Sequence, residues 1–132
     1  VAYVLSFFFT LFHFRSRPLI VEGKRDRYAM ISIFNGKYFG GGITVNPEGQ
    51  VDDGKLNLLS LKRTTNFHLF WYFAKMFFGK RLKPSKRVTK KEVETFHFEI
   101  EDTLVAGVDG EFYEFNEPFD VSIIPQAVTC IY

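Results

Sequence analysis

Val93-Glu-Thr-Phe-His-Phe-Glu-Ile-Glu101 alternates apolar and polar residues, the period of a strand with one face on a core and the other in water. Downstream, Thr103–Val108 and Phe119–Ile124 carry the same signature. Upstream, Pro18–Val21 and Tyr28–Phe34 are short runs rich in β-branched and aromatic residues, and the polar Glu22–Arg27 between them reads as a hairpin connection. Asn35-Gly36 signals a turn, and Gly40-Gly41-Gly42 leads into the β-like Ile43–Val45. Leu56–Leu61 alternates well enough for a further strand. Strands dominate, so the expected fold is mainly β: an antiparallel β-sandwich with one or two added helices.

The helices are expected at two places. Thr65–Phe78 has helix length, with Thr64 or Thr65 as N-cap and Gly79 as the stop. Val1–Phe14 is apolar but shorter than the roughly 20 residues of a membrane span, and it lacks the basic start of a signal peptide. It reads as a buried helix that ends before Pro18. Because the chain opens on Val1 rather than methionine, we expect a piece cut or processed from a longer protein.

A chain of 132 residues with 46% hydrophobic and 24% charged residues fits one globular domain. Seventeen phenylalanines demand a core of large rings, each burying about 150–250 Å². A net charge of +2 is too small to imply a nucleic-acid binder. The lone Cys130 excludes an internal disulfide framework, fits a reducing, cytoplasmic compartment, and reads as buried filler in a terminal strand.

Two turns carry the chemistry. In Asn46-Pro-Glu-Gly-Gln-Val-Asp-Asp-Gly-Lys-Leu56 and in Val108-Asp-Gly-Glu111, carboxylates sit against glycine between apolar residues, as acidic groups do on tight turns between strands. Plain turn chemistry accounts for both; facing one site is the sharper possibility. Other motifs fail. Gly36–Ile43 lacks the lysine and hydroxyl that end a phosphate-binding P-loop. Gly49 and Val51 occupy positions where an EF-hand needs oxygen ligands. His13, His68 and His97 are scattered with no zinc-site spacing. From Lys75 to Lys91 a basic segment including Lys80, Arg81, Lys83, Lys86, Arg87 and Lys90 follows the aromatic helix. It reads as a solvated loop or as a dock for anionic lipid, with Trp71 and its neighbours entering the headgroup layer.

Asn35-Gly-Lys-Tyr-Phe-Gly-Gly-Gly-Ile-Thr-Val-Asn-Pro-Glu-Gly-Gln-Val-Asp-Asp-Gly-Lys-Leu-Asn-Leu58, a helix ending in Gly79-Lys-Arg81, Val108–Glu111 and Val121-Ser-Ile-Ile-Pro-Gln-Ala-Val128 together resemble the C-terminal domain of the diacylglycerol kinase and sphingosine kinase superfamily, closest to its bacterial soluble members. The resemblance implies an ATP-dependent phosphotransferase acting on a lipid hydroxyl, in which this chain is the C-terminal β-sandwich and an N-terminal domain bearing a GGDGT motif, absent here, binds the nucleotide. The isolated chain would then be inactive. It also implies that Asp53 holds a structural Mg2+ with the main-chain carbonyls of Gln50 and Lys55, and that Asp52 supports or alternates with it. Glu111 would accept the proton of the lipid hydroxyl, and Asp109 would orient the loop or join the metal-water network. Gly49 departs from the family, which more often has a small apolar residue there. On this view the two helices line an acyl slot or meet the bilayer, with Trp71, Lys80, Arg81 and Lys83 at the membrane or substrate. The chain would be cytoplasmic and peripheral at an anionic membrane, serve phospholipid metabolism, and dimerise where its partner domain is missing. The alternative is a non-enzymatic β-sandwich module binding a lipid membrane or a protein partner; nucleic acid is not expected.

Overall fold

A computed structural model of the chain describes residues 9, 13–39 and 43–127. The elements run β1 (Arg17–Val21), β2 (Lys24–Phe34), β3 (Tyr38–Phe39), β4 (Ile43–Thr44), β5 (Leu56–Lys62), α1 (Asn66–Phe77), β6 (Val88–Val93), β7 (Thr95–Glu99), β8 (Leu104–Val108), β9 (Glu111–Phe115) and β10 (Phe119–Ser122). Six strands form one antiparallel sheet in the order β10-β7-β1-β2-β5-β6, and two small hairpins, β3–β4 and β8–β9, stand beside it. The mainly β, antiparallel sandwich-type fold expected from the alternating runs is what the chain adopts. The expected helix over 1–14, apart from Phe9, His13 and Phe14, lies outside the described residues, as do Gly40–Gly42 and the terminal strand around Cys130.

β5 organises the core because every residue from Leu56 to Leu61 is buried. Its odd residues and its even residues serve different clusters. Leu59 and Leu61 pack with Val88, Val45, Leu82 and the α1 residues Leu69 and Met76. Leu58 faces the other way, into a cluster with Val21, Tyr28, Phe96 and Phe98. A strand wrapped on both faces has no need of a polar alternate face, which explains the Leu58-Leu59 pair. β2 serves both clusters by a different device. Its pairing with β5 shifts between Tyr28 and Met30, a bulge at Ala29 that turns the strand over. Tyr28 therefore joins Ile31 and Ile33 in one cluster, while Met30 and Phe34 meet the other.

Three local readings need correction. The connection between β1 and β2 is only Glu22-Gly23, both at positive φ (52° and 72°), the geometry of a two-residue hairpin turn. The polar Lys24–Arg27 is strand, paired to Pro18–Val21. The basic segment is not a loop throughout, since Lys90 and Lys91 lie in β6, paired with Leu59 and Leu58. β6 ends the sheet, and lysines on such an edge discourage pairing with another chain. β9 adds a strand where only a turn was expected.

The helix begins where expected: Thr65 is the N-cap, and its side-chain oxygen accepts from the His68 N–H. It stops before Gly79, at φ +64°. At the polar end of β2, Asp26 bonds Lys62 Nζ at 2.6 Å. That bond, helped by the Arg27 N–H, holds the Asp26 carboxyl below its ordinary 3.8, and the same bond raises Lys62 above 10.5. The carboxylate's contribution to stability is thus complete above its ordinary value and lost as pH falls through the depressed one; the ammonium's is complete below 10.5 and lost as pH rises through the raised one. Asp26→Asn should accordingly be less stable than the parent at neutral pH, and the gap should close in strong acid. Urea midpoints across that range check it.

Candidate functional site

The loop after β4 is built by backbone constraints before any chemistry. Asn46-Pro47-Glu48-Gly49 closes a turn through Gly49 N–H donating to Asn46 O at 3.0 Å, with proline at the position that presets its φ. Val45 and Asn46 N–H both donate to Lys37 O, and Asn35 Nδ2 donates to Val51 O, so the Asn35-Gly36 turn and this loop hold each other. Their approach is close. A Cβ on Gly49 would lie 2.3 Å from Gly36 O, which is a physical reason for glycine where a small apolar residue was the commoner expectation. Gly49→Ala should therefore cost about 1–3 kcal/mol, the usual penalty of overpacking, read as a lower thermal midpoint.

Further along, Asp53 Oδ1 accepts from the Lys55 N–H at 2.9 Å, an Asx turn that Gly54 completes at φ +72°. Gln50, Asp52 and Asp53 are exposed, and among the described residues no hydrogen bond reaches the second oxygen of Asp53. Lys55 Nζ pairs with Glu92 at 3.0 Å, and that hydrogen bond raises the lysine above its ordinary value.

The second acidic turn sits on the β8–β9 hairpin. Val108 pairs with Glu111, leaving Asp109-Gly110 as a two-residue turn with φ of 50° and 93°, the conformation that favours Asp-Gly. Glu111 opens β9, exposed, and its Oε2 accepts from Tyr113 Oη at 2.7 Å. That bond pushes the Tyr113 phenol up. Tyr113 went unread in the sequence, although residues two apart on a strand share a face and Glu111-Phe-Tyr113 held the signal.

The two turns lie on separate pieces of sheet, and among the described residues no hydrogen bond or ion pair joins 50–55 to 108–111. Nor, among those residues, is there a group of three His, Cys, Asp or Glu side chains able to hold a metal. A cation at Asp53 would need main-chain carbonyls and water for its remaining ligands, a share that suits magnesium, which keeps several waters.

The membrane or substrate candidates form one tract. α1 buries Leu69 and Met76 and leaves Phe67, Trp71 and Phe77 more than half exposed, with Phe78 just beyond it. Lys75 Nζ lies over the Trp71 ring at 5.7 Å. Past Gly79, Leu82 is buried and pins the loop, while Lys80, Arg81 and Lys83 are exposed. Arg81 is paired with Glu48, so its charge is partly spent within the chain. Among the described residues no helix is long and apolar enough to cross a membrane.

Comparison with known proteins bears on all of this. Residues 1–132 match the family model of the YegS C-terminal NAD kinase beta sandwich-like domain. Among solved structures, two of a provisionally named diacylglycerol kinase from Bacillus anthracis str. Sterne are similar, at 22% and 23% identity with TM-scores of 0.64 and 0.65, each covering 92% of this chain and 42% of that one. A third, of a diacylglycerol kinase from the same organism, is 19% identical with a TM-score of 0.59, covering 93% of this chain and 48% of that one. The chain thus spans less than half the length of these proteins, and at such identities the likeness is one of fold. No curated protein matches it. The match along its whole length nonetheless makes this chain a member of the YegS C-terminal beta sandwich-like domain family.

Proposed function

We propose that this chain is the substrate-side, C-terminal domain of an ATP-dependent lipid kinase that phosphorylates a hydroxyl such as that of diacylglycerol, working with a nucleotide-binding domain. The observation that carries the reading is the family match over residues 1–132, within which Asp53 and Glu111 both stand exposed at turn positions. In this proposal Glu111 accepts the hydroxyl proton and Asp109 fixes the hairpin tip that aims it. Asp53, with the carbonyls of Gln50 and Lys55, would hold a structural Mg2+, which when bound would fix the loop that carries Asp52 and Asp53. Phosphoryl transfer depends chiefly on positioning and charge neutralisation. The test is phosphorylation of diacylglycerol from ATP by the full-length protein, alongside Asp53→Asn and Glu111→Gln. Loss in both variants supports one shared site. Full activity in both would leave two ordinary turns and favour a binding module, a reading to which the demands of the Asp109-Gly110 turn already lend weight.

The proposal also makes α1 and the segment after it the face toward an anionic membrane. Exposed rings beside exposed lysines are the combination that such a surface takes up. With about 1 kcal/mol for each basic residue near the membrane and Arg81 already paired, replacing Lys80, Arg81, Lys83 and Lys86 with glutamine should weaken binding to anionic vesicles roughly tenfold to a hundredfold. Unchanged vesicle sedimentation would sink the membrane role.

A further inference from the structure

On the α1 side of the sheet, where β5 and β6 meet the loop after the helix, lies a cavity of about 590 Å³. The strand register puts Asn57 opposite Glu92 and Lys90 opposite Leu59, so Asn57, Leu59 and Lys90 share that face. Arg81, Leu82 and Lys83 from the loop after the helix line it too, as do Asn46 and Glu48.

Its charges do not balance. Glu48 is paired with Arg81, Glu92 with Lys55, and Lys91 with Glu22. Lys83 and Lys90 have no carboxylate partner among the described residues. Lys90 is partly buried, and that burial, together with the Arg81 charge, holds its ammonium below the ordinary value. The wall has a second gap. Asn57 is only 7% exposed; its Oδ1 accepts from Asn46 Nδ2 at 2.8 Å, and its own Nδ2 is buried without a partner among the described residues. A donor sealed from water with no acceptor bears the full cost of desolvation, and a turn of the Asn57 side chain, which lines the cavity, would bring it to an acceptor admitted there. An unneutralised lysine pair and an orphaned amide all ask for the same thing.

We propose that this cavity is a phosphate-binding site, in which Lys90 and Lys83 neutralise the anion and the Asn57 amide, shifting slightly with Asn46, donates to one of its oxygens. Two unbalanced ammonium groups match the charge of roughly −1.5 to −2 that a phosphate monoester carries at neutral pH. Arg81 can turn from Glu48 to the anion, since a guanidinium suits phosphate as well as carboxylate. The site does not depend on the kinase reading, because its readout is binding and needs neither nucleotide nor turnover.

The experiment titrates inorganic phosphate into the full chain, following heat and the Asn57 side-chain amide and Lys90 Nζ resonances. Saturable binding that moves both resonances, and that Lys90→Met weakens tenfold or more while the thermal midpoint holds, supports a free-phosphate site. Vesicles distinguish the other source. If phosphate alone does not bind but phosphatidic acid vesicles bind more tightly than phosphatidylserine vesicles of equal charge, and Lys90→Met removes the difference, the ligand is a phosphomonoester headgroup. Should Lys90→Met fail to fold, Lys83→Gln on the exposed loop replaces it, with a weakening of several-fold expected. Absence of binding to both probes, or binding that the folded variant leaves unaltered, overturns the proposal.

Discussion

Glu111→Gln in the full-length protein is expected to lower kcat for lipid phosphorylation about a hundredfold with the fold unchanged. A positioned general base contributes about 10²–10⁴-fold, and the lower end applies because phosphoryl transfer draws most of its acceleration from metal and phosphate contacts. The fold should survive because Glu111 is exposed and, among the described residues, its one side-chain partner is the Tyr113 hydroxyl, whose hydrogen bond the amide oxygen of glutamine can still accept. Tyr113→Phe separates the two roles. It removes the hydrogen bond and leaves the carboxylate, so activity should stay near the parent level. A drop in Tyr113→Phe equal to that in Glu111→Gln would show that the bond, and not the base, matters.

Leu59→Ala should destabilise the domain by about 3–5 kcal/mol, in the upper part of the range for buried leucines. Leu59 has no exposed surface and packs beneath α1 on β5, which is held between β2 and β6. Neighbours anchored on both sides cannot collapse into the space, so the cavity persists. Against a total of about 5–15 kcal/mol for a typical domain, such a loss would leave a marginal protein. Phe112→Ser is the contrast. Phe112 is 83% exposed on β9, and its replacement should stay within about 0.5 kcal/mol. Urea denaturation of the three proteins measures both effects.

The fold was largely legible because the punctuation was local. Thr65 and Gly79 bracket α1, and the alternation of Thr95–Glu99 marks β7, since both signals act within a few residues. β6 was hidden for the opposite reason. Lys90 and Lys91 look like loop residues until β6 is known to be a sheet edge, and that is a property of strand order. The polar Lys24–Arg27 was misread because its pairing depends on a turn as short as Glu22-Gly23. At the candidate site, each acidic turn could be read from its own Asp-Gly pair. Whether the turns face one another could not, because that depends on how separate pieces of sheet are set together. The cavity beside Asn57 and Lys90 escaped entirely, since their sharing of a face follows from the register between β5 and β6.

The bulge at Ala29 constrains identity more than length. Tyr28 and Met30 face consecutive partners on β5, Lys62 and Leu61, so Ala29 is the one residue of β2 with no counterpart there. It packs with Met30 against the cluster beneath α1, where a larger side chain would crowd the core. Removing the position would leave Tyr28 and Met30 consecutive, and the ordinary alternation of a strand would still send the first to one core and the second to the other. Descendants of this chain are thus freer to lose the residue at 29 than to enlarge it.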